Sequence, residues 1–235
     1  MAELNRAVNI GFVRDQYLAD WAVLLLKENR EEEAAPLLRE IRAEVSDPIL
    51  VERKIAEIYL RASWWKNAAA VLEDVLGRTI EKEQVVDRLG LALLKLGDTR
   101  RLVELSRIQD RVPKVSVGSY DENMTMGNLH AYFSSYIDAL SFYSKASELK
   151  PDDAYSEYKV GLANLKIGNH GVALESLGRA VALDPVFADA HFYIGVGREA
   201  MKKPAKAAMA YRRTLELLPT HQGARQALSR IDSNS

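Results

Sequence analysis

Apolar residues recur along this chain at steps of three and four residues. Leu18, Trp21, Ala22 and Leu25 are one example. Such spacing places the apolar side chains on one face of an α-helix. The pattern is broken into short segments, so we predict an all-α protein whose helices each bury one apolar stripe against their neighbours.

The C-terminal half repeats itself with a period of 34 residues. Four series share it: Gly127, Gly161 and Gly195; Ala139, Ala173 and Ala207; Leu149, Leu183 and Leu217; Pro151, Pro185 and Pro219. A small residue lets two helices of a hairpin approach closely, while a large neighbour fills the space beside it. A proline ends a helix, because it lacks an N–H donor and disfavours helical geometry in the residue before it. The period therefore predicts stacked helical hairpins.

These series resemble the tetratricopeptide repeat. The Leu-Gly step of that motif is matched by Met126 with Gly127, Val160 with Gly161 and Ile194 with Gly195. Its Ala-x3-Phe step is matched by Ala139 with Tyr143, Ala173 with Leu177 and Ala207 with Tyr211. Its Trp is replaced by Asn123, Glu157 and His191, and its Tyr by His130, Asn164 and Arg198, so the units are divergent. The resemblance implies an all-α, right-handed α-solenoid of helix-turn-helix units.

The same frame reaches the N-terminal half once three residues are inserted. Counting 37 residues back from Gly127 reaches Gly90, and steps of 34 then reach Ala56 and Ala22. We predict an N-terminal segment (1–14) and a capping helix with a tail (222–235). Between them we predict six repeat units: 15–48, 49–82, 83–116, 120–153, 154–187 and 188–221. The first three units are divergent and the last three clear, and the second helix of the third unit is degenerate.

Residues 117–119 are predicted to be the insertion between the two halves. They lie in the stretch from Val112 to Asn123, which lacks helical periodicity and is rich in Ser, Gly and Asp. It is either a lengthened loop within one continuous superhelix or a hinge between two halves of three repeats.

Charge and composition narrow the functional classes. The chain has 32 Lys plus Arg against 33 Asp plus Glu, so no global field draws it toward nucleic acid or an anionic membrane. It has no cysteine, which excludes disulfides, thiolate metal sites and cysteine nucleophiles. The apolar run from Trp21 to Leu26 is far shorter than the roughly 20 residues that a membrane-spanning helix needs. We expect a cytoplasmic protein, or a periplasmic or exported one if a signal was removed.

No motif in the sequence indicates catalysis. His130, His170, His191 and His221 are scattered without a second ligand at helical spacing, and His130 and His191 occupy aromatic slots of the repeat, which favours packing. The run Glu31 to Glu33 predicts the first turn of a second helix. There is no nucleotide-binding glycine loop and no Gly-x-Ser-x-Gly elbow. We expect no enzymatic activity, no cofactor and no metal.

Two adjacent tryptophans leave two interpretations open. Trp65 lies three residues before Ala68, a slot that Tyr136 and His170 fill in other units, which indicates packing in the turn. Trp64 has no such counterpart. It is either partly buried against a neighbouring unit or an exposed contact for a partner or a second copy.

The resemblance also implies a ligand groove on the concave side, formed by the first helices. The frame places ten residues of the C-terminal half there: Asn128, Tyr132, Tyr155, Tyr158, Lys159, Leu162, Lys166, Phe192, Tyr193 and Val196. Rings, hydrogen-bonding groups and cations suit a peptide with apolar side chains and a carboxylate, with Tyr158 and Phe192 as anchors. A periodic groove that contains Tyr for packing alone is the other interpretation. The N-terminal half offers a surface of mixed sign: Arg53, Lys54, Glu57, Arg61, Asp87, Arg88 and Lys95.

The expected function is a non-enzymatic scaffold or adaptor that binds a protein or peptide, with no nucleic acid and no membrane insertion. The alternative is a structural protein that assembles with its own copies, since a homo-oligomer is compatible with the sequence. Chaperone-binding members of the family hold a C-terminal carboxylate with Lys and Asn side chains. Here Asn128 matches one of them, but Met124 and Asp189 stand where lysines are expected, so that subclass is not favoured.

Overall fold

The computed structural model describes the backbone of residues 2–44, 46–80 and 82–233, and side chains from residue 14 onward except residues 15, 45 and 81. These residues form thirteen α-helices and no strand. The chain divides into two compact units, Met1–Ser116 and Val117–Ser235.

Unit 1 contains three helical hairpins. Its helices are α1 (Ala2–Lys27), α2 (Glu31–Glu44), α3 (Pro48–Arg61), α4 (Trp65–Arg78), α5 (Lys82–Lys95) and α6 (Thr99–Gln109). The three glutamates at the start of α2 lie in its first turn, where the helix dipole favours negative charge. Helix α1 begins at Ala2, so the predicted N-terminal segment is helical and continuous with the first helix of the first repeat. Helix α6 has only 11 residues, in keeping with its degenerate sequence.

Unit 2 contains three hairpins and a closing helix. Its helices are α7 (Tyr120–Tyr132), α8 (Tyr136–Leu149), α9 (Ala154–Lys166), α10 (His170–Leu183), α11 (Ala188–Ala200), α12 (Pro204–Leu217) and α13 (Gln222–Ser233). The second helices end two residues before Pro151, Pro185 and Pro219, as the repeat predicts. Each helix packs on the next in the chain. The predicted all-α stack of hairpins is confirmed.

The small-residue series marks the closest approach within each hairpin of unit 2. A methyl group added to Gly127 would lie 2.5 Å from the ring of Tyr143, and one added to Gly195 would lie 2.4 Å from the ring of Tyr211. Both rings are buried. The predicted pairing of a small residue with a large one across the hairpin is therefore present in these hairpins.

The connection before α7 is more ordered than its sequence predicts. Pro113 is buried, and its ring would be 2.4 Å from a methyl group added to Gly90. Asp87 accepts a hydrogen bond from the backbone N–H of Lys114 at 2.7 Å and pairs with Arg111 at 2.8 Å. Helix α7 begins at Tyr120, the residue at which the fourth unit is predicted to begin. Pro113 is thus the nearest side chain to Gly90, and Leu102 of α6 lies farther away, at 3.7 Å from the added methyl group.

Trp64 is half-buried within unit 1. Its indole Nε1 donates a hydrogen bond to the carbonyl oxygen of Leu26 at 2.8 Å, and its ring stacks on Tyr59 with centroids 6.4 Å apart. Leu26 belongs to the preceding repeat, so the interpretation of partial burial against a neighbouring unit is confirmed. Trp64 is therefore a structural residue of unit 1.

Candidate functional site

The ten predicted site residues lie on α7, α9 and α11, the first helices of unit 2. The four exposed residues are Asn128, Tyr132, Tyr155 and Lys166. The five half-buried residues are Lys159, Leu162, Phe192, Tyr193 and Val196, and the one buried residue is Tyr158. We call the nine accessible residues the first-helix surface. Their role in binding a partner stays a prediction.

Aromatic rings form a continuous series beneath and within this surface. Neighbouring centroids are 6.0 Å apart for Tyr155 and Tyr158, 5.9 Å for Tyr158 and Tyr193, 5.1 Å for Tyr193 and Phe192, and 5.6 Å for Phe192 and Tyr211. Tilted and edge-on ring pairs at such distances are favourable. The rings therefore link α9, α11 and α12 and keep the half-buried members in fixed positions.

Tyr158 is corrected from an exposed anchor to a packing residue. Only 8% of it is exposed, and its ring lies 4.8 Å from that of Phe187 as well as against Tyr193. Burial raises the pKa of its phenol, so it stays neutral. Helical spacing identified the correct helix, but the start of α11 covers the ring. Replacing Tyr158 by alanine would therefore leave a cavity between two repeats.

A cationic patch lies where α7, α8 and α9 meet. The Lys159 Nζ atom is 5.1 Å from the ring centroid of Tyr155 and 5.8 Å from that of Tyr143, within the range of cation–π attraction. The Tyr143 hydroxyl donates to Oδ1 of Asn128 at 2.9 Å, which orients the exposed amide of Asn128. Burial raises the pKa of Tyr143, so this hydroxyl remains a donor. The patch presents an ammonium and an amide, which suit an acceptor such as a carboxylate.

A cleft of about 530 Å³ opens between α11, α12 and α13. Apolar and polar side chains share its wall: Phe192, Val196, Glu199, Ala200, Tyr211, Gly223, Gln226, Ala227 and Arg230. Glu199 accepts hydrogen bonds from the Tyr211 hydroxyl at 2.8 Å and from Arg230 at 2.7 Å. Burial, and then the bond to Glu199, raise the pKa of Tyr211. The cleft thus offers an apolar wall beside a satisfied ion pair, which suits an apolar side chain.

Comparisons with known proteins bear on the fold. No protein-family model matches the chain. It is 26% identical over 137 residues to the BBSome complex member BBS4 homolog of Drosophila melanogaster; the match covers 57% of this chain but only 27% of that protein. The crystal structure of YrrB, described as a TPR protein with an unusual peptide-binding site, has a TM-score of 0.52 at 17% identity and covers 82% of this chain and 97% of its own. The chain has a tetratricopeptide-repeat fold. The first TPR of Spaghetti, solved with an HSP90 peptide, has a TM-score of 0.48 at 25% identity, over 49% of this chain and 92% of its own.

Sequence reasoning on these tetratricopeptide repeats missed the cleft. Two of the residues that line it, Glu199 and Ala200, are the last two residues of the first helix α11. Arg230 also lines it and lies on the closing helix α13, outside the 34-residue frame. The one available signal was the apolar spacing of Ala224, Leu228 and Ile231, which predicts α13 but not the gap beside it. Tyr211 was identified only as the large partner of Gly195.

Other chemistry was sought over the part of the chain that the structure describes. There, no group of three or more His, Asp or Glu side chains is placed to hold a metal ion. Among the same residues, no helix has both the length and the apolar character to cross a membrane. His130 is stacked on Phe142 with centroids 5.1 Å apart, and the Nδ1 atom of His221 accepts the backbone N–H of Ala224 at 3.0 Å.

Proposed function

We propose that this chain is a non-enzymatic adaptor that binds a peptide segment of a partner protein on the first-helix surface of unit 2. The observation that carries the proposal is the combination of fixed half-buried rings with a cationic patch on one side and an open cleft on the other. Hot spots in protein interfaces are rich in aromatic residues and arginine, set in preformed pockets. YrrB, which has the same fold, is described as having a peptide-binding site.

The two ends of this surface favour different parts of a ligand. The cleft beside Phe192 and Val196 would take an apolar side chain, because the charge of Glu199 in its wall is already neutralised by Arg230. Lys159 would bind a carboxylate, since its ammonium stands over rings that cannot neutralise it. A peptide with an apolar anchor and an acidic group separated along the chain matches this arrangement.

Selection of peptides from a phage-displayed random library, with the full chain as bait, tests the proposal. The affinity of each selected peptide is then measured by fluorescence anisotropy. Ala200→Trp fills the cleft from an exposed position, and Lys159→Glu reverses the charge of the patch. We expect each change to weaken binding by roughly tenfold or more, and the Lys159 effect to shrink at high salt.

Two matched controls lie on second helices of the same unit. Ala182→Trp places the same ring on an exposed position of α10, and Lys145→Glu makes the same charge change on α8. Both should bind as the unaltered chain does. Selected peptides that tolerate Ala200→Trp and Lys159→Glu, or a library that yields no binder, would reject the first-helix surface as the ligand site.

A further inference from the structure

A short non-helical segment after α6 is bound to the first helix α5. We call its residues, 111–114, the strap. The guanidinium of Arg111 pairs with Oδ1 of Asp87 at 2.8 Å, and the backbone N–H of Lys114 donates to the same oxygen at 2.7 Å. Pro113, between these two contacts, is buried. One carboxylate therefore holds both ends of the strap while the proline ring packs against unit 1.

The repeat sequence explains why a proline ring fits here. Gly90 is the third unit's member of the small-residue series, and three large side chains face that series in unit 2: Tyr143, Leu177 and Tyr211. With the three-residue insertion, the same frame position on α6 is Ser106. A serine is too small to fill the volume that a ring or a leucine fills, and its hydroxyl bonds the carbonyl oxygen of Leu102 at 2.9 Å. The degenerate second helix thus leaves room beside Gly90, which Pro113 takes.

The face of α5 under the strap recognises several groups at once. Glu83, Asp87 and Gly90 follow each other at steps of four and three residues, so they lie on one side of the helix. The backbone oxygen of Glu83 accepts a second hydrogen bond from Arg111 at 3.1 Å. Hydrogen bonds between charged groups are stronger than neutral ones. A peptide segment that has an arginine two residues before a proline, and a backbone N–H after it, presents the same groups as the strap.

The strap is held by few contacts. Among residues 111–118, only Pro113 is buried, and residues 112–118 have no regular secondary structure. Segments with few buried contacts open at a lower free energy than the helices around them. The strap is therefore expected to leave α5 while α5 and α6 stay folded.

We propose that this face of α5 is a peptide-binding site, additional to the first-helix surface, whose ligand is a basic segment with an arginine two residues before a proline. The chain fills the site with its own strap, so the contact is autoinhibitory, and a partner's segment of the same chemistry binds when the strap leaves. The repeat frame supports the location. Asp87 is the third unit's counterpart of Phe192, which lies on the first-helix surface of unit 2.

A fluorescein-labelled peptide with the sequence of residues 110–116 tests the proposal by anisotropy with the full chain. Arg111→Ala with Pro113→Ala removes the two side-chain contacts of the strap. This variant should bind the peptide at least roughly tenfold more tightly than the unaltered chain, whose strap competes at an effective concentration of about 1 mM. Ser116→Ala with Val117→Ala is the matched control, because both residues follow the strap, and it should bind as the unaltered chain does.

Two further arms identify the site. Adding Asp87→Asn to the strap variant should abolish the gain in affinity, because the charge that pairs with arginine is lost. A peptide with alanine in place of its arginine and proline should bind none of these chains. A strap variant that binds no better than the unaltered chain, or binding that survives Asp87→Asn, overturns the proposal.

Hydrogen exchange on the unaltered chain tests the same displacement without a variant that could unfold. The backbone N–H of Lys114 is bonded to Asp87, so it is protected while the strap is bound. Unlabelled peptide above the effective concentration should speed the exchange of this amide, measured by nuclear magnetic resonance, while amides inside α5 keep their protection. The alanine-substituted peptide is the control and should change neither. Peptide that leaves the Lys114 amide protected overturns the proposal.

Discussion

Replacing Gly161 by alanine should destabilise unit 2, although alanine is the better helix former. The added methyl carbon would lie 2.6 Å from Cγ and 2.9 Å from Cδ2 of Leu177, and 3.2 Å from the backbone oxygen of Ala173. Leu177 is fully buried and Cγ is close to its backbone, so this side chain cannot swing away. Helices α9 and α10 would have to move apart.

The expected size of the effect follows from two opposing terms. Overpacking a core contact typically costs about 1 to 3 kcal/mol. Alanine in place of a helical glycine gains about 0.5 to 1 kcal/mol. The two ranges leave a net loss of about 0 to 2.5 kcal/mol with a centre near 1 kcal/mol, which for a domain of this size lowers the thermal midpoint by roughly 5 °C. Thermal unfolding followed by circular dichroism measures it.

The same hairpin supplies a control of opposite sign. Gly178 lies inside α10, and a methyl group added there would meet nothing within 4 Å. Gly178→Ala therefore keeps only the propensity gain and should raise the free energy of unfolding by about 0.5 to 1 kcal/mol. If both variants shift the midpoint in the same direction, the close contact between Gly161 and Leu177 does not govern the stability of the hairpin.

Three further predictions concern single contacts. Trp64→Phe should cost about 0.5 to 1.5 kcal/mol, because the carbonyl oxygen of Leu26 loses the indole N–H and keeps the backbone N–H of Asn29, and a chemical denaturation curve no different from that of Trp65→Phe would contradict this. Proteinase K should cut first within 115–118, after the segment held by Asp87 and before α7, and N-terminal sequencing that places first cuts inside helices of unit 2 would refute it. Burial lowers the pKa of His130, so the unfolded chain takes up the proton first and stability should fall as pH drops below about 6.5; His130→Gln should flatten that slope in thermal melts between pH 7.5 and 5.5, and an unchanged slope would count against it.

The repeat could be predicted from sequence because its contacts are nearly all local. Gly127 and Tyr143 lie on the two helices of one hairpin, and the sequence repeats the pair in a later unit with Gly195 and Tyr211. A period of 34 residues thus reports both the helices and the contact between them. The prediction of helix ends was equally direct, because a proline follows each clear second helix.

The candidate site was harder to predict because it depends on which side of each first helix the next repeat covers. Tyr158 and Tyr155 are three residues apart on one helix, yet one is buried under Phe187 and the other is exposed. Hydrophobic spacing alone does not separate these two cases, since both lie on the apolar side. The role of Pro113 was missed for a related reason, because a residue outside the frame replaced the second-helix residue that the frame predicts.

The surfaces of unit 2 with chemistry still to be assigned lie on its first helices and beside its closing helix. Within the frame, each first helix uses part of its surface for stacking, as Tyr158 does, and leaves side chains such as Tyr155 and Lys159 accessible. Beyond the frame, α13 borders the cleft beside Phe192. A peptide bound on the first-helix surface would therefore contact both the periodic positions on α9 and the cleft that α13 completes.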